Sequence, residues 1–361
     1  MYKRALVKPD GRALHLYSRR PIDEGLQATA PRSGAVAPNP HFRWHPLRGE
    51  WVAYASHRQN RTFQPPKEFN PLVPTRSAEF PTELPAGDYD AAVFDNLFPS
   101  MSLQAHSAPS LNVPTRPARG VCEVVVFTQD PDSSLGALPL DHLRLLVDVW
   151  AERSIEIGAR EGIQYVMPFE NRGAEMGVTL SHPHGQIYGY PFIPPVPARE
   201  LAENRAHFSA HGRSLLEDLC RAEVECAQRL LFEDQRTLAF VPVCARYPYE
   251  TWIVPRRRVG SLAQLEDAER DSFTRALKTV LLKFDGLWNR PFPYLMVFCQ
   301  APTDGVDRPE AHLHVEFYPA LRSPDRLKYL AGTELGAGTF ANDAFPEEKA
   351  AELRAVEVTL E

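Results

Sequence analysis

Residues 170–191 read ENRGAEMGVTLSHPHGQIYGYP and join a glycine-bearing polar stretch to a strand-like run with two histidines. On a β-strand the side chains at positions i and i+2 point to the same face, so His182, His184 and Gln186 should lie together, opposite Gly185. Three polar side chains on one face need partners or a ligand. Glycine would let another group or a ligand approach the backbone closely. The segment therefore predicts a functional site rather than histidines packed in a core.

The residue types on this strand suit chemistry at phosphorus. A neutral imidazole is a good nucleophile with an unperturbed pKa of about 6.5. It can attack phosphorus and hold the group as a phosphoramidate, which divides one difficult transfer into two steps. The second histidine can orient the loop or the phosphate, and the amide of Gln186 can donate to a phosphoryl oxygen without supplying a proton for hydrolysis.

The same order of elements occurs twice along the chain: strand, helix, strand, polar loop, and a strand carrying H-x-H. We therefore predict a duplicated α+β unit with mostly antiparallel sheets and helices packed on them. The first unit comprises a strand at 121–127, a helix capped by Asp141, a strand at 163–169 and the strand of His182 and His184. The second comprises strands at 237–246 and 250–255, a helix with apolar residues from Phe273 to Leu287, a strand at 293–302 and a strand at 311–319 with His312 and His314.

The chain has 361 residues, a length that suggests roughly two domains of ~150–200 residues. We predict a loosely ordered N-terminal segment over residues 1–40, a catalytic domain over 41–195 and a non-catalytic domain over 196–361. The boundary falls in a proline-rich stretch, and a helix over 200–235 should bridge the halves.

Composition excludes several classes of protein. The net charge of −6 does not fit a nucleic-acid coat or a polybasic membrane anchor. No apolar run approaches the ~20 residues of a membrane helix, and the basic N-terminus lacks the apolar core of a secretory signal. The five cysteines are scattered without a CxxC pair, so we expect reduced thiols in a cytoplasmic protein.

The stretch at 169–192 closely resembles the active-site segment of the galactose-1-phosphate uridylyltransferases, whose pattern is E-N-x-G-x-x-x-G followed by H-P-H-G-Q. This family belongs to the histidine-triad superfamily, in which hydrolases show the motif H-x-H-x-H. A motif with Gln in the third position, as at Gln186, resembles that of the transferase branch. Segments at 43–61, 93–101 and 314–334 also resemble family segments in the same order. The resemblance covers about residues 42–340 and implies two histidine-triad-like domains.

The resemblance assigns roles to individual residues. His184 matches the nucleophile that becomes uridylylated, Gln186 matches the residue that contacts the transferred phosphoryl group, and His182 matches the first histidine of the pair. The other matches are Arg58 and Arg61 at the nucleotide diphosphate, Asn96 and Phe98 in the uridine pocket, Asn171 and Thr179 at phosphate and sugar phosphate, and Lys328 and Glu334 at the hexose phosphate, often from a partner subunit. Without the motif, the arginines would fit a solvated surface equally well.

The reaction implied is a ping-pong exchange. The imidazole of His184 would take UMP from UDP-glucose, release glucose 1-phosphate, and pass UMP to galactose 1-phosphate to give UDP-galactose. The implied assembly is a homodimer. Two alternatives stay open. One is a sugar-nucleotide or dinucleoside polyphosphate phosphorylase, distinguished by free phosphate as acceptor. The other is a catalytically inactive nucleotide-binding or scaffold protein, which would not be labelled by UDP-glucose.

Metal sites are where the sequence departs from the family. Its zinc site uses a CxxC, a later histidine and the first His of HPH, and only His182 remains here, so a closed zinc site is not expected and a hydrogen bond must hold that ring. A second family site aligns with Glu200, Cys299, His314 and Glu316. Such a set could hold structural zinc or iron, or form an ordinary hydrogen-bonded cluster.

Overall fold

The computed structural model describes residues 1–32, 34, 36–60 and 64–360. The strands in chain order are β1 Tyr2–Val7, β2 Ala13–Ser18, β3 His41–His45, β4 Glu50–Tyr54, β5 Ala91–Asp95, β6 Thr115–Pro117, β7 Val121–Val126, β8 Tyr165–Arg172, β9 His184–Tyr190, β10 Leu230–Glu233, β11 Thr237–Phe240, β12 Thr251–Pro255, β13 Tyr294–Cys299, β14 His314–Pro319, β15 Leu321–Ser323 and β16 Arg326–Leu327. The α-helices are α1 Leu140–Gly158, α2 Pro195–His211, α3 Leu215–Cys226, α4 Asp267–Leu287 and α5 Pro346–Arg354. Short 3₁₀ turns lie at Ser56–Asn60, Lys67–Phe69, Leu135–Ala137, Ala174–Met176 and Leu262–Gln264, and a π-type turn lies at Gly332–Ala337.

Eleven strands form one sheet, in the order β1-β2-β5-β7-β9-β8-β13-β14-β12-β11-β10. All neighbours in this order pair antiparallel. The order β5-β7-β9-β8 is matched by β11-β12-β14-β13, so the predicted duplication of an α+β unit is confirmed. The two halves share the sheet because β8 pairs with β13, where Glu170 lies opposite Met296.

Helices α1 and α4 pack against each other and cover the sheet. The apolar face predicted for α4 is buried from Phe273 through Phe284, and Trp150 of α1 packs its ring 4.9 Å from that of Phe298. Burying a Leu, Phe or Trp side chain contributes about 1.5–3 kcal/mol each, so this layer supplies much of the stability of both halves. Among the described residues, no helix is both long enough and apolar enough to cross a bilayer.

The N-terminal segment differs from the expectation of loose order. Strands β1 and β2 form a hairpin, and β2 pairs with β5 at the edge of the main sheet. Alternation at the start of the strand explains its pairing, because Leu14 and Leu16 are fully buried while His15 between them is only half-buried. A buried ion-pair network of Lys8, Arg12 and Glu83 anchors the turn of the hairpin to the rest of the domain.

Two helix predictions also need correction. The single bridging helix expected over 200–235 is two helices, since Gly212 ends α2 with a left-handed φ of 69° and Ser214 starts α3 with a capping box. The last part of that range is strand β10. Helix α1 begins at Leu140 after Pro139, so Asp141 lies inside its first turn rather than at the cap.

Candidate active site

A cavity of about 380 Å³ opens beside strand β9 in the N-terminal half. The burial of β9 alternates along its whole length, so His184 and Gln186 face the cavity while Gly185 faces inward. A Cβ atom at Gly185 would lie 2.8 Å from both the ring of Phe127 and the carbonyl oxygen of Phe169. Close packing of the protein behind the strand thus requires this glycine.

The ring of His184 is oriented by one backbone contact. Its Nδ1 atom lies 2.7 Å from the carbonyl oxygen of His182. Because a carbonyl only accepts, Nδ1 carries the proton and Nε2 keeps its lone pair. Burial lowers the pKa of His184 from its ordinary value of 6.5, which keeps the ring neutral and nucleophilic.

His182 precedes strand β9 and is not among the residues that line the cavity beside Gln186. Strand β9 begins at His184, and the ring of His182 is 1 % exposed, so the expectation that all three polar residues share one strand face is wrong for His182. Its Nε2 lies 2.7 Å from the carbonyl oxygen of Thr128, and its Nδ1 lies 3.2 Å from Nδ2 of Asn70. Hydrogen bonds therefore engage both ring nitrogens.

Gln186 continues the same face of β9, and its side chain is held by the next residue on that face. The hydroxyl of Tyr188 donates to Oε1 of Gln186 at 3.2 Å. With the oxygen occupied, the amide N–H groups remain to donate into the cavity. Tyr188 also lines the cavity, and sequence reasoning missed it, although the alternation through Tyr188 carried the signal.

Five other predicted residues line the same cavity, namely Arg58, Asn96, Phe98, Asn171 and Thr179. Local contacts tie some of them together: Arg58 Nη1 donates to the carbonyl of Phe98 at 2.7 Å, and Oδ1 of Asn96 accepts from the backbone N–H of Phe98 at 2.8 Å. Arg61 lies outside the described residues. The cavity also includes Arg32, Glu83 and Phe169, which sequence reasoning did not single out.

The C-terminal half repeats the hydrogen-bond pattern of His182 and His184. The ring of His312 contacts the carbonyl of Pro255 through Nε2 at 2.8 Å and Oγ of Ser214 through Nδ1 at 3.2 Å. Nδ1 of His314 lies 3.0 Å from the carbonyl oxygen of His312. At the position that corresponds to Gln186 this half carries Glu316, an anion, and His314 is only 6 % exposed. The two halves therefore share a scaffold but differ in the third polar side chain of the strand.

Comparison with known proteins agrees with this arrangement. The family model for the N-terminal domain of galactose-1-phosphate uridyl transferase matches residues 34–194, and the model for the C-terminal domain matches residues 200–360. This chain belongs to the galactose-1-phosphate uridylyltransferase family. By this family membership it is a nucleotidyltransferase.

Relatives in this uridylyltransferase family cover most of the chain. A galactose-1-phosphate uridylyltransferase of Thermotoga maritima is 36% identical over 88% of this chain and 99% of its own length. One from Rattus norvegicus is 33% identical over 87% of each chain. A solved uridylyltransferase structure is 32% identical, covers 88% of this chain and 98% of its own, and has a TM-score of 0.77. An ADP-glucose phosphorylase from Arabidopsis thaliana shares the fold, with 22% identity over 89% of this chain and all of its own and a TM-score of 0.66.

Three of the four residues predicted from the family's second metal site lie close together. The ligand atoms of Glu200, Cys299 and His314 lie within 4.8 Å of one another. Carboxylate, thiolate and imidazole are all zinc ligands, so the donor set fits one ion. Glu316 lies at the edge of this group: one oxygen is 3.6 Å from Nε2 of His314, and the other contacts Arg246 and the hydroxyl of Tyr318.

Lys328 and Glu334, matched to hexose-phosphate recognition in the uridylyltransferase family, are not among the residues that line the cavity at His184. They lie together on the loop after β16, with Lys328 Nζ 3.4 Å from Oε1 of Glu334. Glu334 also accepts from the backbone N–H of Ala331 and the hydroxyl of Thr333, and these bonds lower its pKa to about 2. Within one chain, this pair organises its own loop.

Proposed function

We propose that this chain exchanges UMP between UDP-glucose and galactose 1-phosphate through a covalent uridylyl group on His184. The observation that carries the proposal is the orientation of that ring. Its Nδ1 is committed to the backbone carbonyl of His182, so the unprotonated Nε2 faces a cavity that also presents Gln186 and Arg58. A half-buried, neutral, singly oriented imidazole among phosphate-binding groups is suited to attack on phosphorus.

The bond changes balance without an added acid or base. Nε2 of His184 forms a bond to the α-phosphorus of UDP-glucose, and the bond from that phosphorus to the oxygen of glucose 1-phosphate breaks. The leaving group departs as a phosphate anion and needs no proton. A phosphate oxygen of galactose 1-phosphate then attacks, the P–N bond breaks, and UDP-galactose leaves. Throughout, the Nδ1 proton stays on the hydrogen bond to His182.

Negative charge on the phosphoryl oxygens needs donors that are in place before the reaction. The free N–H groups of Gln186, the guanidinium of Arg58 and the amide of Asn171 line the cavity at His184 and would serve as these donors. An amide donates without releasing a proton, which disfavours hydrolysis of the intermediate. Arg58 suits a diphosphate because a guanidinium presents paired N–H groups.

The nucleoside would bind at the apolar part of the cavity. Phe94, Phe98, Val124 and Phe169 line that part, with Asn96 beside them to hydrogen-bond the ribose or base. An aromatic and aliphatic lining with a few polar groups is typical of pockets that bury a flat ring. The lining therefore supports a nucleotide substrate rather than a bare sugar phosphate.

We propose that Lys328 and Glu334 reach the hexose phosphate from a partner subunit. Their loop carries large exposed apolar side chains, with Tyr329 73 % and Leu335 63 % exposed, which suits contact with a second copy. Mixing His184→Ala and Lys328→Ala proteins after subunit exchange tests this, since hybrid dimers would regain one intact site. If the mixture stays inactive while light scattering shows exchanged dimers, the shared-site assignment is wrong.

We also propose a structural zinc or iron ion held by Glu200, Cys299 and His314, with Glu316 as a fourth ligand or an outer partner. Such an ion would link helix α2 to strands β13 and β14, and no chemical step depends on it.

A cytoplasmic location is proposed as well, supported by five free cysteines.

The decisive experiment is to incubate the protein with UDP-glucose, remove free nucleotide and weigh it. The expected result is a mass gain of one uridylyl group, absent in His184→Ala and reversed by galactose 1-phosphate. Release of the group as UDP by free phosphate, and not by galactose 1-phosphate, would identify a phosphorylase instead. An unchanged mass with bound substrate would refute the covalent mechanism.

A further inference from the structure

We propose that Asn70 is a positioning residue for uridylyl transfer: its side-chain amide fixes the tautomer and orientation of His182, and through the His182 backbone the ring of His184. The inference rests on the proposed function, because it concerns how the nucleophile is held. It is independent of any metal.

The orientation of the Asn70 amide is determined by its own surroundings. The side chain is 8 % exposed and follows the short turn Lys67–Phe69. Its Oδ1 accepts the backbone N–H of Leu72 at 2.9 Å. Because the oxygen is committed to that donor, the NH₂ group is the end that faces Nδ1 of His182, 3.2 Å away.

This orientation leaves His182 a single protonation state. The carbonyl of Thr128 can only accept, so Nε2 of His182 carries a proton and donates across 2.7 Å. The NH₂ group of Asn70 can only donate, so Nδ1 must be the unprotonated acceptor. Adding a proton at Nδ1 would set two donors against each other. Burial acts in the same direction and lowers the pKa of His182 to about 4.

The constraint passes to the nucleophile through the backbone. The carbonyl oxygen that receives the Nδ1 proton of His184 belongs to His182, whose ring is held from two sides. Asn70 reaches this point from 112 residues earlier in the chain. Anchoring the ring on both sides restrains the backbone of His182, because a backbone shift would pull the ring away from these partners. Such a shift would also move the carbonyl and turn Nε2 of His184 away from the cavity.

The C-terminal half offers a built-in comparison. Ser214 contacts Nδ1 of His312 at 3.2 Å, the same distance and atom as Asn70 on His182. A hydroxyl can donate or accept, so it tolerates a second proton on Nδ1 of His312, whereas the oriented amide excludes one from Nδ1 of His182. Ser214→Ala therefore removes an equivalent buried hydrogen bond from the half that has no proposed chemistry, and it is the matched control.

The test measures the single-turnover rate of uridylyl-enzyme formation from UDP-glucose between about pH 5.5 and 8.5, a window chosen around the ordinary histidine pKa. Asn70→Ala should slow labelling about tenfold, because the net free energy of roughly one hydrogen bond that orients the ring is lost from the transition state. Asn70→Asp has the same shape but places an acceptor at Nδ1. It should draw a proton onto His182 and add a second ionisation to the pH profile in the neutral range. The labelling rate of Ser214→Ala should stay within about twofold of the wild-type rate, which is a smaller change than the loss of one net hydrogen bond would produce at the site.

Two further readouts separate positioning from a general loss of structure. In ¹⁵N-histidine spectra, His182 should be protonated at Nε2 alone in the wild type and at both nitrogens in Asn70→Asp. In a His182→Asn background, Asn70→Ala should have no additional effect on labelling. An unchanged pH profile in Asn70→Asp, or equal rate losses in Asn70→Ala and Ser214→Ala, would overturn the proposal. Failure of the wild-type protein to label would refute the proposed function, while the spectra would still report the tautomer.

Discussion

The Nδ1 atom of His184 lies 2.7 Å from the carbonyl oxygen of His182, a residue only two positions earlier. This contact decides which nitrogen is available for chemistry. It also recurs between His314 and His312 at 3.0 Å, so it belongs to the scaffold that both halves share. What distinguishes the N-terminal copy is the cavity that opens beside His184.

The first prediction is the pH dependence of labelling. A protonated ring has no lone pair, and burial lowers the pKa of His184 below its ordinary 6.5. The nucleophile is therefore neutral throughout the neutral range. The single-turnover rate should be constant between about pH 8 and 7 and should fall only on acidification below the ordinary histidine pKa. A midpoint above pH 7 in stopped-flow or quenched-flow data would contradict this assignment.

The second prediction concerns Gln186, whose amide is oriented by the hydroxyl of Tyr188. Gln186→Met keeps the size of the side chain and removes the donor, so labelling should slow on the order of 100-fold, as for loss of one preorganised donor to a developing oxyanion. Gln186→Glu reproduces the residue of the C-terminal copy and adds repulsion toward phosphate, so it should be slower still.

Tyr188→Phe provides a graded version of the same test, because it frees the amide of Gln186 without removing it. A loss of several-fold is expected from one hydrogen bond. Tyr190→Phe is the control, since Tyr190 follows on the same face of β9 but lies outside the cavity lining.

For the Gln186 variants, equal labelling rates of Gln186→Met and Gln186→Glu would indicate that the charge at residue 186 is immaterial.

Periodicity was sufficient to predict much of the fold. The run through residues 184–190 alternates strictly, and the face of α4 from Phe273 to Phe284 repeats at helical spacing, so both elements were predicted with the correct type. The N-terminal hairpin was not predicted, because its order depends on pairing with β5 and on an ion pair to Glu83. Such distant contacts leave no periodic signal in the local sequence.

The residues of the candidate site could likewise be predicted only in part. Side chains on one strand face, such as His184 and Gln186, follow from spacing alone, and the resemblance to a family supplied the residues from other segments. Asn70 could not be found in this way, since an asparagine in a proline-rich loop is ordinarily a turn residue. Its role depends on a contact with His182 across 112 residues, which only the tertiary structure reveals.

The third prediction concerns the cluster of Glu200, Cys299 and His314. Burial raises the pKa of Cys299 to about 12, so this thiol carries a proton when no cation is bound, and burial also raises the pKa of Glu200. Metal binding must displace the thiol proton and should tighten as the pH rises. Elemental analysis should find zinc or iron in the wild type and a loss in Cys299→Ala, with a lower Tm.

Cys244→Ala is the matched control for the metal, because Cys244 is an exposed thiol in the same half and is not part of the cluster. It should retain the metal and the Tm of the wild type. Labelling of His184 by UDP-glucose should survive in Cys299→Ala at temperatures where the variant is folded, since the ion takes part in no step. Full metal retention in Cys299→Ala would show that this thiol is not a ligand.

The fourth prediction concerns Glu170, which lies on β8 where the two halves of the sheet meet. Its side chain is 3 % exposed, and the hydroxyl of Tyr294 donates to its Oε2 at 2.8 Å. Burial raises the pKa of this carboxyl from 4.5 to about 7, in spite of the nearby guanidinium of Arg172. Between those two pH values the folded protein holds a proton that the unfolded chain has released.

The sign of the effect on stability follows from that difference in bound protons. The contribution of Glu170 to the free energy of unfolding is complete below about pH 4.5 and is lost as the pH rises through about 7. Glu170→Gln has the same shape and cannot ionise, so its free energy of unfolding relative to wild type should rise between about pH 5 and 8. The change should be on the order of 2–3 kcal/mol, measured by urea unfolding at each pH. A difference that does not vary with pH would mean that Glu170 is ionised in the folded protein across this range, and that the junction between β8 and β13 tolerates a buried charge.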